Sequence, residues 1–173
     1  MLFRSLLNMT RGPLAPFLKS VGVYRCPGDK SVAQFSGKWY PRVRTASMNG
    51  WVGSDFFPWP EYSDVGYRNY RKITEFVSAS QIWVIVDERE DSIEDSFCGV
   101  VSMVREELAN VPASYHNGAC GFMFADGHAE VHKWLDGRTK PPIKKGQPIY
   151  GDRKLQPGNP DIRWLQQHSG EKK

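Results

Sequence analysis

The chain has 173 residues, of which 40% are hydrophobic and 24% are charged. This length and apolar fraction suffice for one hydrophobic core, so the chain is most simply a single domain. The longest uninterrupted apolar run in the body of the chain, Ile82 to Val86, is far shorter than the roughly 20 residues that cross a bilayer. Twelve prolines and sixteen glycines favour short strands and loops over a helical bundle.

The net charge of +4 is unevenly distributed. Residues 138–173 carry nine Lys/Arg against three Asp/Glu, a balance of +6, together with five of the prolines. Such a basic segment can bind nucleic acid or anionic lipid. Because neither aromatic stacking residues nor a helical stripe of charge accompanies the basic residues, we expect no nucleic-acid partner. We interpret 138–173 as a basic, proline-rich extension that packs on the domain or trails from it.

The first half of the chain predicts one short helix, one strand and one long loop. Residues 12–20 follow a helical pattern, with Pro13 in the first turn and Gly22 beyond the end. Residues 42–52 have the character of a strand. The stretch 53–69 is rich in aromatic residues without a sustained period, which predicts an ordered loop.

The second half predicts the centre of a sheet. Ile82 to Val86 is fully apolar, as expected of a central strand that is buried on both faces. Residues 102–110 predict a short helix. Beyond Thr139 the sequence predicts irregular structure, with a turn at 161–166.

The strongest local prediction is a β-hairpin at 119–134. Two turn dipeptides, Asn117-Gly118 and Asp126-Gly127, bracket its first strand, and both tolerate the positive φ angles of a type I′ turn. A two-residue loop at the second dipeptide pairs Ala125 with His128. One face of the hairpin is then apolar and holds Phe122, Phe124, Ala129 and Val131. The opposite face holds His128, Glu130 and His132.

A dense acidic segment follows the predicted central strand. Six carboxylates lie within nine residues: Asp87, Glu88, Glu90, Asp91, Glu94 and Asp95. A Ca²⁺ ion takes about six to eight oxygen ligands, although the spacing is not that of an EF-hand. The first four of these acids form a candidate calcium site, and calcium is the stronger of the two cofactor candidates. The alternative is a solvated acidic loop that pairs with Arg89 and nearby lysines.

The histidines suggest a weaker candidate, a zinc site. Alternate residues of one strand stand about 7 Å apart, so neighbours among His128, Glu130 and His132 could share a zinc ion with His116 as a further ligand. The alternative is a polar strand face that is turned to solvent or to a partner.

A catalytic triad is a third candidate. Ser114 or Cys120 could be the nucleophile, with His116 and Asp126 as base and acid. The sequence has no nucleophile elbow of the G-x-S-x-G type, and Asp is favoured before Gly in a turn. We therefore expect no enzymatic activity. We interpret the turn residues as structural: His116, Asn117, Gly118, Asp126 and Gly127.

The three cysteines are Cys26, Cys98 and Cys120. They contain no C-x-x-C spacing, which excludes zinc-ribbon and thioredoxin-like sites. In an exported protein two of them could form a disulfide. The alternative is three buried thiols.

Several segments together resemble one family. Pro112 to Gly118 and Phe124 to Glu130 resemble the H-x9-DG C-terminal signature of prepilin-like proteins, which are exported bacterial proteins similar to the major pseudopilin of type II secretion. Further segments resemble the Cys-Pro-x-Asp, Ser-Met-Asn and acidic segments of this family: Tyr24 to Ser31, Arg44 to Gly50 and Asp87 to Ile93. The resemblance runs from about Gly12 to Leu165.

The resemblance implies an α+β fold, in which residues 12–137 form the globular head around an antiparallel sheet of four or five strands. It implies a structural subunit of a type II secretion pseudopilus or a type IV pilus-like filament. Such a subunit is exported to the periplasm or cell envelope and anchored in the inner membrane by an N-terminal helix. Its partners are other pseudopilin or pilin subunits and the assembly machinery.

The resemblance also sets an expectation for the N-terminus. The family's leader and apolar helix have no counterpart here, so we interpret residues 1–11 as a non-native or linker remnant and expect a soluble head. Two other functions stay open. The aromatic stretch 53–70 could hold a polysaccharide or a secreted substrate in a binding module, and a metal-dependent hydrolase is the weaker alternative.

Overall fold

The structure is a computed structural model that describes residues 10–12, 14–53, 66–98, 103–144, 149 and 154–173. The chain divides into two compact units, Met1–Ala46 and Ser47–Lys173. Both contain short strands, and the fold is of the α+β class. Among the described residues, no helix has the length and apolar character needed to cross a membrane. The predicted loop 53–69 lies mostly outside the described residues, as do residues 1–9 of the predicted linker remnant.

The first unit contains a β-hairpin. Strand β1 (Val32–Phe35) pairs antiparallel with β2 (Lys38–Pro41), and Phe35 lies opposite Lys38. The two residues between them, Ser36 and Gly37, have φ angles of 48° and 79°. These positive values are those of a type I′ turn, whose twist matches that of the strands it connects.

The predicted helix at 12–20 is wrong. Two short 3₁₀ turns stand in this region, at Ala15–Phe17 and Val21–Tyr24. Leu18 is extended and ends the first turn. The Ser20 hydroxyl accepts a hydrogen bond from the Gly22 N–H and caps the second. Local side-chain capping therefore competes successfully with a continuous helix.

The second unit is organised by a five-stranded sheet of order β5-β3-β4-β6-β7. Its strands are β3 (Ala46–Asn49), β4 (Trp83–Asp87), β5 (Phe97–Cys98), β6 (Ala119–Phe124) and β7 (Ala129–Lys133). The prediction of a central strand at 82–86 is confirmed, because β4 lies in the middle. The sheet is mixed, since β3 and β5 run parallel, whereas the sequence predicted an antiparallel sheet. The strand predicted at 42–52 is limited to the four residues of β3.

The hairpin of β6 and β7 forms, but its predicted register is wrong by one residue. Met123 pairs with Ala129, and Phe122 pairs with Glu130. The Phe124 N–H donates to the His128 carbonyl, which leaves a three-residue loop. Only Gly127 in this loop has a positive φ, at 92°, so the turn is a type I turn that ends in a left-handed glycine rather than a type I′ turn.

This register exchanges the faces of β7. Because side chains alternate along a strand, a shift of one residue turns each of them to the other side of the sheet. Phe122 and Phe124 are buried as predicted, but Ala129 and Val131 are exposed on the opposite face. Glu130 and His132 therefore share the face of the two phenylalanines.

A helix that the sequence analysis missed covers this face. Helix α1 (Pro160–Ser169) begins at Asn159, whose side-chain oxygen accepts hydrogen bonds from the Asp161 and Ile162 N–H groups. Pro160 occupies the first turn, where its missing N–H costs nothing. Ile162 and Leu165 are buried in the core.

The helix predicted at 102–110 is also wrong over its described residues, 103–110. The backbone there bonds to a distant segment instead: Glu107 forms a bridge with Leu155, and the Gln156 N–H donates to the Glu106 carbonyl. Tertiary pairing therefore replaces the local helical hydrogen bonds.

Phe122 lies at the centre of the core. Its ring packs edge-to-face against three tryptophans, with centroid distances of 5.8 Å to Trp83, 5.9 Å to Trp134 and 5.0 Å to Trp164. The three indoles come from β4, from the end of β7 and from α1. One side chain therefore joins the sheet to the helix.

We predict that Phe122→Ala lowers the free energy of unfolding by about 3–5 kcal/mol, because it opens a cavity in a packed core. Val131→Ala on the exposed face is the matched control and should change stability by no more than about 0.5 kcal/mol. Urea denaturation measures both. Equal losses in the two variants would contradict the observed register.

We predict that Gly127→Ala destabilises the chain by about 1–2 kcal/mol, since a residue with a Cβ is strained at positive φ. A Cβ at this position has no neighbour within 4 Å, so the cost comes from the backbone alone. Gly137 is the control, because its Cβ position is equally open and its φ is not positive. Thermal melting that is the same for Gly127→Ala and Gly137→Ala would count against the three-residue turn.

Candidate functional site

The two ends of the H-x9-DG segment lie at opposite ends of β6. His116 and Ala119 exchange backbone hydrogen bonds of 3.2 and 3.3 Å around Asn117-Gly118. Asn117 and Gly118 have φ angles of 53° and 79°, which confirms the predicted type I′ turn. Asp126 stands beyond the other end of the strand, and β6 alone spans about 17 Å. His116 and Asp126 therefore do not form a catalytic pair.

Asp126 bonds within its own turn. One of its carboxylate oxygens accepts from the His128 N–H at 3.1 Å and lies 2.6 Å from the Nδ1 atom of the same residue. The backbone N–H and the ring of His128 lower the pKa of this carboxyl group. The aspartate of the motif thus fixes the residue that follows the turn.

His116 lies close to a different acid. A carboxylate oxygen of Asp87 lies within 4.8 Å of a ring nitrogen of His116. One of the two candidate nucleophiles, Cys120, is fully buried, and its thiol donates to the Asp87 carbonyl at 3.2 Å. A buried thiol that is engaged in this way does not serve as a nucleophile.

Glu88 is the centre of a buried polar network. Its side chain is fully buried and accepts hydrogen bonds from the Ser47 hydroxyl at 2.7 Å, the Ser92 hydroxyl at 3.0 Å and the Asn110 amide at 2.9 Å. Ser92 in turn accepts from the Val111 N–H at 2.7 Å. The network joins the end of β4 to β3 and to the segment before the motif.

Arg89 points to other partners. Its guanidinium is buried and binds both oxygens of Asp91, at 2.9 and 2.6 Å, and it also donates to the Pro141 carbonyl. Two of the four candidate calcium ligands, Glu88 and Asp91, are therefore engaged by protein donors. Within the described segment 87–95, the acidic side chains do not converge on one point, and a calcium site there stays a prediction.

The candidate zinc ligands are also dispersed, and two of them take part in ring stacking. His128 stacks on Phe124 with a centroid distance of 4.3 Å. His132 stacks on Trp164 at 3.7 Å, and His168 stacks on the same indole at 4.3 Å. We call His132, Trp164 and His168 the imidazole–indole stack. These aromatic contacts explain where His128 and His132 lie.

All three cysteines are buried free thiols. The structure therefore agrees with the alternative of three buried thiols, and the prediction of a disulfide is wrong. Burial strongly raises the pKa of Cys98, and nearby Glu88 adds to this effect. The thiol of Cys98 stays protonated and unreactive at neutral pH.

The face of the hairpin that points away from α1 is accessible and carries apolar side chains next to Lys133. Val131 is 65% exposed and Met123 is 38% exposed. Beside them lies a groove of about 330 Å³ between the 70–76 segment and the turn end of the hairpin. Its apolar lining includes Val52, Tyr70, Ile73, Phe76, Val84, Met123 and Phe124, and Arg71 and Lys72 stand in it as well. We call Met123, Ala129 and Val131 with this groove the outer face.

Comparison of the chain with protein-family models, with curated proteins and with solved structures found no match. The functional inference therefore rests on the residues themselves.

The residues of α1 that complete the stack were not predicted from the sequence. Asn159 followed by Pro160, with Gly170 after the last turn, is a strong signal for a helix. The basic and proline-rich composition of 138–173 masked this signal. A helix that has Asn159 as its cap and Pro160 in its first turn places Trp164 and His168 one helical turn apart.

We predict that Glu88→Gln destabilises the chain by about 1.5–3 kcal/mol, because an amide group replaces an acceptor that faces three donors. Glu94→Gln is the control, since Glu94 is exposed in the same acidic segment, and it should be nearly neutral. Urea denaturation at pH 7 measures both. A neutral Glu88→Gln would show that the network does not depend on a carboxylate.

Proposed function

We propose that the chain is the globular head of a prepilin-like structural subunit of a type II secretion pseudopilus or a type IV pilus-like filament. The observation that carries the proposal is the outer face, an exposed apolar surface on the hairpin that the H-x9-DG segment builds. A contiguous apolar patch on a protein surface often marks an interaction site. In a filament, a neighbouring subunit would cover it.

The residues of the motif support a mechanical role. His116, Asn117, Asp126 and Gly127 form or stabilise the two turns that flank β6, and Phe122 between them is buried in the core. A hairpin fixed at both ends is a rigid platform for its outer side chains. Head-to-tail contacts through such a platform build an open filament when the rotation between subunits does not close a ring.

The alternative is a binding module for a polysaccharide or a secreted substrate. The groove on the outer face is the observation that favours it, but its apolar lining suits an apolar partner better than a sugar, which needs convergent polar groups. Within the described residues the groove offers Arg71 and Lys72 as its charged side chains. The aromatic residues of 54–65 lie outside the described residues.

We predict that Val131→Asp abolishes assembly without unfolding the head. The test joins the whole chain to the leader and apolar helix of a pseudopilin that forms surface filaments, and it measures the fusion protein in sheared filaments by immunoblot. The unmodified fusion should enter filaments. The aspartate should exclude it, because a charge would be buried between subunits.

Val104→Asp is the matched control, since Val104 is 61% exposed and Val131 is 65% exposed. It should leave assembly intact, and circular dichroism should show both variants folded. If the unmodified fusion is processed and folded but never joins a filament, the proposed function is wrong. If both aspartate variants assemble, the outer face is not the contact.

A further inference from the structure

The imidazole–indole stack connects α1 to β7. The His132 ring on β7 lies almost parallel to the Trp164 indole of α1, with a centroid distance of 3.7 Å and an angle of 17°. His168 covers the indole at 4.3 Å and 22°, and its Nδ1 atom lies 2.7 Å from the Trp164 carbonyl. Trp134 and Phe122 contact the His132 ring at its edges, at 5.1 and 6.5 Å.

His132 has a buried ring nitrogen without a partner. Its Nε2 atom is inaccessible to solvent and makes no hydrogen bond to any described residue. A neutral imidazole tolerates this position, because Nε2 can carry a lone pair. Protonation would place an N–H and a positive charge there without an acceptor, which is costly in a dry environment.

The groups around His132 have opposite effects on its pKa. Burial lowers its pKa, Asp161 of α1 and Glu130 of β7 act to raise it, and His168 of α1 acts to lower it. Cys120 lies opposite on β6. The indole of Trp164 would attract an imidazolium through its π face. The net effect is a pKa below the ordinary value.

We propose that the imidazole–indole stack is an acid-sensitive latch, in which neutral His132 holds α1 on the sheet and protonated His132 releases it. The closed latch packs the imidazole flat on Trp164. In the open latch the imidazolium reaches water, and the two rings separate.

The latch controls more than the helix. Ser169, the last residue of α1, accepts from the Trp83 Nε1–H at 3.0 Å through its hydroxyl and from the Asn49 amide at 2.9 Å through its carbonyl. Glu171 then accepts from the Val77 and Ser78 N–H groups at 3.1 and 2.7 Å. Release of α1 would therefore also weaken the contact of Glu171 with the Val77 and Ser78 N–H groups, beside the groove.

The direction of the pH effect follows from the position of the proton. The open state has an ordinary histidine pKa of about 6.5, and the closed state has a lower one, so the open state binds the proton more readily. Opening is therefore favoured as pH falls below about 6.5. Between pH 7.5 and 5.5 the equilibrium constant for opening can rise at most about tenfold from this one group.

We predict that hydrogen–deuterium exchange of the whole chain reveals this opening. After correction for intrinsic rates, protection of 160–169 should fall by up to about tenfold between pH 7.5 and 5.5. Protection of β4 and β6 should not fall with it. The pKa values of Glu75, Asp126, Asp136 and Glu171 are lowered, so these carboxyl groups do not titrate in this window.

Two variants separate the latch from general instability. His132→Phe keeps the stack but cannot be protonated, and it should make the protection of α1 independent of pH in this window. His128→Phe is the matched control, because His128 also stacks on a buried ring but lies away from Trp164, and it should keep the pH effect. An equal fall of protection across the sheet and α1, or an unchanged fall in His132→Phe, would overturn the latch.

A second measurement on the unmodified chain guards against a variant that fails to fold. Nuclear magnetic resonance titration of the His132 ring should give a midpoint below 6.5, and the Trp164 indole signal should shift with the same midpoint. A midpoint at or above the ordinary value, or a Trp164 signal that does not follow it, would contradict the proposal.

Discussion

The left-handed conformation of Gly127 is the constraint on which the second unit depends. A glycine at this position closes a three-residue loop, and the loop fixes which residues of β6 and β7 lie opposite one another. That register sends Glu130 and His132 to the face of Phe122 and leaves Val131 on the other. The imidazole–indole stack and the outer face are therefore consequences of one backbone angle.

A second constraint is that two buried opposite charges at the end of β4 each need their own hydrogen-bond partners. Glu88 and Arg89 are adjacent in sequence and both fully buried, yet each has its own partners. Burial of a charge is tolerated when hydrogen bonds satisfy it, and removal of one partner is then costly. The acidic segment that suggested a cation site thus uses at least two of its charged groups to bind other parts of the chain.

Sequence patterns succeeded where one local signal decides the structure. Asn117-Gly118 specified its turn, and the apolar run before Asp87 specified the central strand. These patterns failed where two structures compete for the same segment. Asp126-Gly127 suits both a two-residue and a three-residue loop, and the dipeptide alone does not decide between them. The segment 103–110 has helical character, but its backbone pairs with residues near Leu155, which no local pattern reveals.

The residues of the candidate site also fall into two groups, those that a local pattern predicts and those that it does not. Its Asn117-Gly118 turn could be predicted, since the two residues act locally. The buried acceptor role of Glu88 could not, because Ser47 and Asn110 are remote in sequence. The stack required both a correct register and recognition of α1, so two separate errors concealed it.

The pairing of Glu171 with the backbone at 77–78 has a consequence for synthesis of the chain on the ribosome. The strands β4, β6 and β7 emerge long before the helix that covers their buried face. Until α1 and Glu171 have emerged, Phe122 lacks the indole of Trp164 and Phe124 lacks the ring of His168. The Val77 and Ser78 N–H groups lack their acceptor during the same time. A nascent chain therefore carries an open apolar sheet for the interval between the hairpin and the helix, and this interval is when a chaperone would be of most use.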